Sequence, residues 1–193
     1  CHTIEYAHSR QVVHRDLKPA NIMLGTHGET LVVDWGTAKV CDDRNPPAAA
    51  AAASPADQGL PVLAPYATCD GLVLGTPAYM SPEQAAGRGD DVGPASDVYA
   101  LGAILFAMLT GRSPIEGSSS GEILDKARHA EVRGPREVQR RVPPALDAIC
   151  RRAMSELPRQ RYPSAAALAE ELERWLAGGP VLAWPEPLAR RCG

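Results

Sequence analysis

No apolar run in this 193-residue sequence is long enough to span a bilayer; the longest, residues 98–109, has 12 residues and suits a buried core helix. Nor do the first residues read as a signal peptide, because His2, Glu5, His8 and Arg10 interrupt any apolar stretch there. Positive charge is not in excess. Twenty Lys and Arg stand against 23 Asp and Glu, a net charge of −3, which argues against a nucleic-acid partner because neutralising phosphates needs a basic face. Cysteine is sparse and unpatterned: the five positions (1, 41, 69, 150 and 192) are odd in number and never form C-x-x-C. Reduced thiols are therefore expected, not a disulfide framework or a zinc site. The five histidines are scattered as well and give no metal-ligand spacing. Three lysines against 17 arginines, with abundant alanine, reflect GC-rich coding and carry no functional meaning. An initiator Met is absent at Cys1, so the chain is expected to be a piece of something longer.

What is present suffices for one globular domain, with 45% hydrophobic and 22% charged residues. Residues 1–9 read as the end of a helix. Residues 22–24 and 31–33 are short β-type runs, and the Gly25-Thr26-His27-Gly28-Glu29-Thr30 connection is rich in turn formers, so a hairpin is predicted. Residues 42–70 hold Pro46-Pro47, six consecutive alanines, Ser54-Pro55, Pro61, Pro65 and Asp70-Gly71. Prolines on both sides leave little to stabilise a helix there, and a mobile loop is predicted. Further on, Ser96 is expected to cap a helix through Leu109, stopped by Gly111. That helix is apolar all round and must be surrounded by other elements. Weaker helices are predicted over 121–128 and 144–154. A last one starts at Ser164, carries Leu168, Leu172, Trp175 and Leu176 on one face, and ends at Gly178-Gly179-Pro180. There is no internal repeat.

The segment His14-Arg15-Asp16-Leu17-Lys18-Pro19-Ala20-Asn21 meets the pattern H-R-D-L-x-x-x-N at every fixed position. Thirteen residues beyond Asn21 stands Asp34-Trp35-Gly36. Later come Gly75-Thr76-Pro77-Ala78-Tyr79-Met80-Ser81-Pro82-Glu83, then Ser96-Asp97-Val98-Tyr99-Ala100-Leu101-Gly102, then Pro158-Arg159-Gln160-Arg161. Singly, Asp16 reads equally well as a turn aspartate, Asn21 as a strand-edge cap and Asp34 as a surface carboxylate. Five blocks in order and at matching spacing carry more than any one of them. Together they resemble the eukaryotic-like, bacterial-type serine/threonine protein kinases, specifically the carboxyl-terminal lobe of the catalytic domain. The blocks match the catalytic loop, the D-F-G turn with Trp35 for Phe, the end of the activation segment with Ser81 for the Ala of A-P-E, the central helix, and the late structural arginine.

The resemblance implies a chemistry. Phosphoryl transfer needs two oxygens in line and charge neutralised on the moving group. Asp16 would accept the proton of the substrate hydroxyl, while Asn21 and Asp34 would hold Mg2+ beside ATP, and oxygen ligands suit that ion. Lys18 would place positive charge near the transferred group and so is both catalytic and cofactor-binding; Lys18 and Thr76 go with transfer to Ser or Thr. Other roles implied are structural. Arg15 would pair with a phosphate on the activation segment, Glu83 and Arg161 would form a buried ion pair, Asp97 would accept backbone N–H groups under the catalytic loop, and His14 and Trp35 would pack in the hydrophobic column below it. Thr68 is the preferred phosphosite and Ser54 the second; mass spectrometry of active protein modified at neither would remove that support.

The fold expected is mainly α (α+β overall), a protein-kinase-like large helical lobe with a short β-hairpin at the catalytic site and the N-terminal β lobe absent. Only thirteen residues precede His14, and none supplies a glycine-rich loop, a strand lysine or a helix glutamate. Residues 1–178 are read as the partial kinase domain, with 42–70 an insertion in an activation segment whose ends, Asp34 and Glu83, lie 49 positions apart, and 179–193 a tail or linker. Partners would be a protein with a Ser or Thr acceptor and, in autophosphorylation, a second copy; a membrane would be met only through other parts of the parent. The location expected is cytoplasmic. The piece alone is expected to be inactive, and a non-catalytic binding module or a truncated gene product are the rival readings. With few helices ahead of the catalytic loop, residues 98–109 should leave an exposed apolar patch. The chain expressed alone is therefore expected to self-associate in light scattering; a monodisperse monomer with one cooperative melt contradicts this.

Overall fold

The computed structural model describes residues 1–41 and 77–184. The insertion at 42–70, Thr76, the phosphosites Thr68 and Ser54, and the tail from 185 lie outside the described residues. The chain enters through α1 (His2–Ser9) and passes into β1 (Val12–Val13). After the loop at 14–21 come β2 (Ile22–Leu24), β3 (Thr30–Val32) and β4 (Lys39–Val40). Both ladders are two-stranded and antiparallel, with Val12 opposite Val40 and Ile22 opposite Val32. The predicted hairpin thus forms, its second strand one residue early, and Gly28 at φ +88° supplies the left-handed turn residue.

The rest is helical: α2 (Pro82–Ala85), α3 (Pro94–Thr110), α4 (Ser120–Arg128), α5 (Pro135–Val138), α6 (Pro144–Ala153) and α7 (Ala165–Leu176). No helix among the described residues is long and apolar enough to cross a membrane. The axis is α3, whose Val98, Leu101 and Ile104 share a core with Ile4 of α1, Ile149 of α6 and Leu168 of α7. Each such side chain contributes about 1.5–3 kcal/mol by leaving water. At Gly102 an added Cβ would stand 2.7 Å from the Ala153 side chain, so α3 and α6 approach over bare backbone.

Three expectations need correction. Ser96 does not cap α3: the helix begins at Pro94, where the preset φ and missing N–H of proline suit the first turn. Ser96 sits two residues inside, where its Oγ accepts the Gly93 N–H at 3.3 Å and donates to Glu83 Oε1 at 2.6 Å. Most of α3 is covered: it is buried from Ser96 through Ile104 and at Phe106, and of its large apolar side chains Met108, near its end, is the exposed one. More of the exposed apolar surface falls on the strands, at Met23, Leu24, Leu31 and Val40, because other helices cover most of α3 while nothing described here covers these strands. Leu176 is 74% exposed and not in the core. There α7 ends, Gly178 turns the chain at φ +71°, and the returning segment packs on Glu171 instead, whose carboxylate accepts the Leu182 and Ala183 N–H groups at 2.9 Å each. The packed body therefore continues past residue 178, with Val181 buried.

The expected Glu83–Arg161 pair forms and ties α2 to the far end of the fold. Arg161 Nη1 and Nη2 donate to the two Glu83 oxygens at 2.7 and 2.8 Å, with Glu83 1% and Arg161 2% exposed. The remaining guanidinium hydrogens go to the carbonyls of Ala95, Ser155 and Glu156, so no donor is stranded. Burial by itself would raise the Glu83 pKa, but hydrogen bonds from Arg161 and Ser96 and the Arg161 charge hold it below the ordinary value. A depressed carboxylate contributes stability that is present above its unfolded pKa and lost as pH falls through the folded one. Arg161→Met leaves Glu83 buried without its cation. It is expected to cost about 3–5 kcal/mol in chemical denaturation at neutral pH, and less as acid protonates Glu83; an unchanged midpoint contradicts this.

Candidate active site

Between β1 and a short 3-10 turn at Pro19–Asn21 the chain reverses, and the reversal puts Arg15 at φ +72°. A non-glycine residue there costs on the order of 1–3 kcal/mol and persists only when its surroundings over-determine it. They do. Asp97, in the first turns of α3, accepts the His14 N–H on Oδ2 and the Arg15 N–H on Oδ1, both at 2.9 Å. Thr37 Oγ donates to the His14 carbonyl at 3.1 Å, and Gln84 Nε2 donates to the Arg15 carbonyl at 2.6 Å. The Asp16 N–H donates to His14 Nδ1 at 3.3 Å. With Nδ1 accepting, the His14 proton belongs on Nε2, which donates to the Val33 carbonyl at 3.1 Å. Beneath all of these, His8 Nε2 donates to Asp97 Oδ2 at 2.8 Å, while His8 Nδ1 is buried with no partner among the described residues.

The loop so held presents Asp16, Lys18 and Asn21 to one another. Lys18 Nζ stands 2.7 Å from Asp16 Oδ2. Asn21 Nδ2 donates to the Asp16 carbonyl at 2.8 Å and to Asp16 Oδ2 at 3.3 Å, so the two amide hydrogens are committed, while the carboxamide oxygen has no hydrogen-bond partner among the described residues. Asp34 follows Val33, whose N–H donates to the Asn21 carbonyl at 2.9 Å. Asp34 is exposed, sits at φ +63°, and its carboxylate makes no hydrogen bond or ion pair among the described residues. Trp35 packs against His14 with ring centroids 4.6 Å apart and the planes tilted by 55°, and its indole N–H donates to the Val32 carbonyl at 3.0 Å.

Of the site residues inferred from sequence, Asp16, Lys18 and Asn21 are in direct contact, Asp34 adjoins Asn21 through the backbone, and Thr76 lies outside the described residues. No group of three or more His, Cys, Asp or Glu able to hold a metal forms among the described residues. The available donors are one amide oxygen and one carboxylate. That set suits a hard cation which takes its other ligands from water and phosphate oxygens, as Mg2+ does. Sequence reading missed His8, Thr37 and Gln84. The Ser81-Pro82-Glu83-Gln84 box was readable as a helix start, but nothing in the sequence pairs Gln84, Thr37 or His8 with a loop many residues away.

A helical body whose buried aspartate grips an H-R-D loop, with an acid, an amine and an amide in contact and a D-x-G turn beside them, defines a protein kinase domain. The chain belongs to that family: residues 1–172 match the one described as Protein kinase domain. It is similar to the serine/threonine-protein kinase PknD of Chlamydia caviae, at 38% identity over 93% of this chain and 19% of that protein. It is also similar to the probable serine/threonine-protein kinase PknB of Bifidobacterium longum, at 34% identity over 96% of this chain and 24% of that protein. A probable serine/threonine-protein kinase of Corynebacterium efficiens is 35% identical over 90% of this chain and 24% of its own length. The chain thus spans about a fifth to a quarter of the curated relatives it matches.

Because Asp97 carries both backbone N–H groups of the strained turn, Asp97→Asn keeps one acceptor and aims an amide donor at another donor. The expected loss is about 3 kcal/mol of stability, the scale of hydrogen bonds to a charged group, with faster amide exchange at His14 and Arg15. Wild-type exchange at those two amides contradicts this role.

Proposed function

We propose that this chain is the carboxyl-terminal, helical lobe of a serine/threonine protein kinase. The parent transfers the γ-phosphoryl group of ATP to Ser or Thr hydroxyls of proteins, its own included, from the cytoplasmic side. The observation that carries the reading is the Asp16–Lys18–Asn21 contact set on a loop held by Asp97. The family and the names of the relatives support it.

When bound, ATP supplies the transferable phosphoryl group and Mg2+ offsets its charge. The chain's own residues do the rest. Asp16 accepts the acceptor hydroxyl's proton at a carboxylate oxygen, and Lys18, 2.7 Å away, keeps positive charge beside that oxygen. Asn21 is oriented by its two bonds to Asp16, which leaves its oxygen for a cation. Asp34, with no competing partner among the described residues, offers the second oxygen ligand. Thr76 completes the acceptor side, and Arg15 meets a phosphate on the activation segment. Residues 1–178, together with the packed segment at 181–183, make up this partial kinase domain, with 42–70 inserted in the activation segment. Without the glycine-rich loop and strand lysine of a complete kinase, residues 1–193 alone turn over little or no substrate.

The test uses the full-length parent. Asp16→Asn keeps the shape of the side chain and removes the base. Radiolabel transfer to a generic Ser/Thr acceptor is expected to fall on the order of 10²–10⁴-fold, with the melting temperature nearly unchanged. A wild-type parent that transfers no phosphate, or an Asp16→Asn variant that transfers it at the normal rate, ends this reading.

A further inference from the structure

Gln84 is the one side chain of α2 that reaches the catalytic loop, across 69 residues of sequence. Its carboxamide orientation follows from its partners. Oε1 accepts the Ser81 N–H at 3.2 Å and the Ser81 hydroxyl at 3.0 Å, so the amide group must face the other way. There Nε2 meets the Arg15 carbonyl at 2.6 Å. That carbonyl and the Asp16 N–H belong to one peptide unit, and the N–H edge is held by His14 Nδ1. The preceding peptide is held the same way, by Thr37 on its carbonyl and Asp97 on its N–H. Two successive peptides around a left-handed Arg15 are thus gripped on all four edges, and Gln84 supplies the edge next to Asp16.

We propose that Gln84 is a positioning residue: it transmits the placement of α2, at the carboxyl end of the activation segment, to the Asp16 carboxylate. The inference rests on the role given to Asp16 above. Were the Arg15 carbonyl released, the strained turn could relax and Asp16 would leave its place beside Lys18 and Asn21.

Two variants of the full-length parent separate this role from the helix-capping one. Gln84→Glu keeps an acceptor for Ser81, and Ser with Glu three residues on is itself a favoured helix start, but it deletes the donor to Arg15. Gln84→Lys keeps a donor and gives up the cap. The first readout is hydrogen exchange of the peptide covering 12–21, which needs no activity. Exchange is expected to rise at least about tenfold in Gln84→Glu and to stay near wild type in Gln84→Lys, since one lost neutral hydrogen bond is worth about a factor of ten. The second is the split of kcat from KM: Gln84→Glu should lose about tenfold or more in kcat, with KM for ATP and acceptor unchanged, as misplacement of a reacting group does. Unchanged exchange in Gln84→Glu overturns the proposal. So does equal loosening in both variants, which would make Gln84 a helix cap only, and so does loosening without loss of kcat. Exchange as expected in a parent that transfers no phosphate upholds the grip of Gln84 on the loop, and the failure then belongs to the proposed activity.

Discussion

The Asp97 carboxylate converts the rigidity of a buried helix into the shape of a loop. Its two oxygens take the His14 and Arg15 N–H groups and the His8 ring, so α1, the catalytic loop and α3 meet at one charged group. The negative charge lies in the first turns of α3, where the helix dipole favours it. Without that anchor, the left-handed Arg15 would lose the acceptor of its own N–H and that of His14, and only the Thr37, Gln84 and His14 side-chain bonds would be left to hold the turn. The core stabilises α3, α3 fixes Asp97, and Asp97 fixes the loop.

A second constraint acts through α2. At four residues α2 is too short to be stable by itself. Three attachments fix it: Glu83 in the buried pair with Arg161, the Ser81–Gln84 box at its start, and Arg128 Nε donating to the Ala85 carbonyl at 2.8 Å at its end. Buried ion pairs are weak sources of net stability but costly to break. The Glu83–Arg161 pair therefore serves chiefly to specify where α2 sits, and through Gln84 that position reaches the loop.

Much of this was legible in the linear chain. Periodicity and turn residues located the hairpin, α4, α6 and α7 within a residue or two. The motif blocks named Asp16, Lys18, Asn21 and Asp34, and also picked out Asp97, Glu83 and Arg161. The misreadings share a cause. Ser96 had the composition of a cap, but Pro94 opened the helix earlier and freed the hydroxyl for Glu83. Leu176 lay on the apolar face of α7, yet the chain folds back over Glu171 and leaves it in water. Local propensity is a weak prior that tertiary contacts override.

What the sequence determined alone is which chemical groups are present and in what order: a carboxylate, an amine and an amide within six residues of loop, and an aspartate at a turn after the hairpin. Tertiary structure alone decided how they are held. Hydrogen bonds given by Thr37, Gln84 and His8 and accepted by Asp97 join residues 23 to 89 positions apart. No local pattern encodes such pairings, because they exist only once the apolar core has brought α1, α2 and α3 around the same strained peptide.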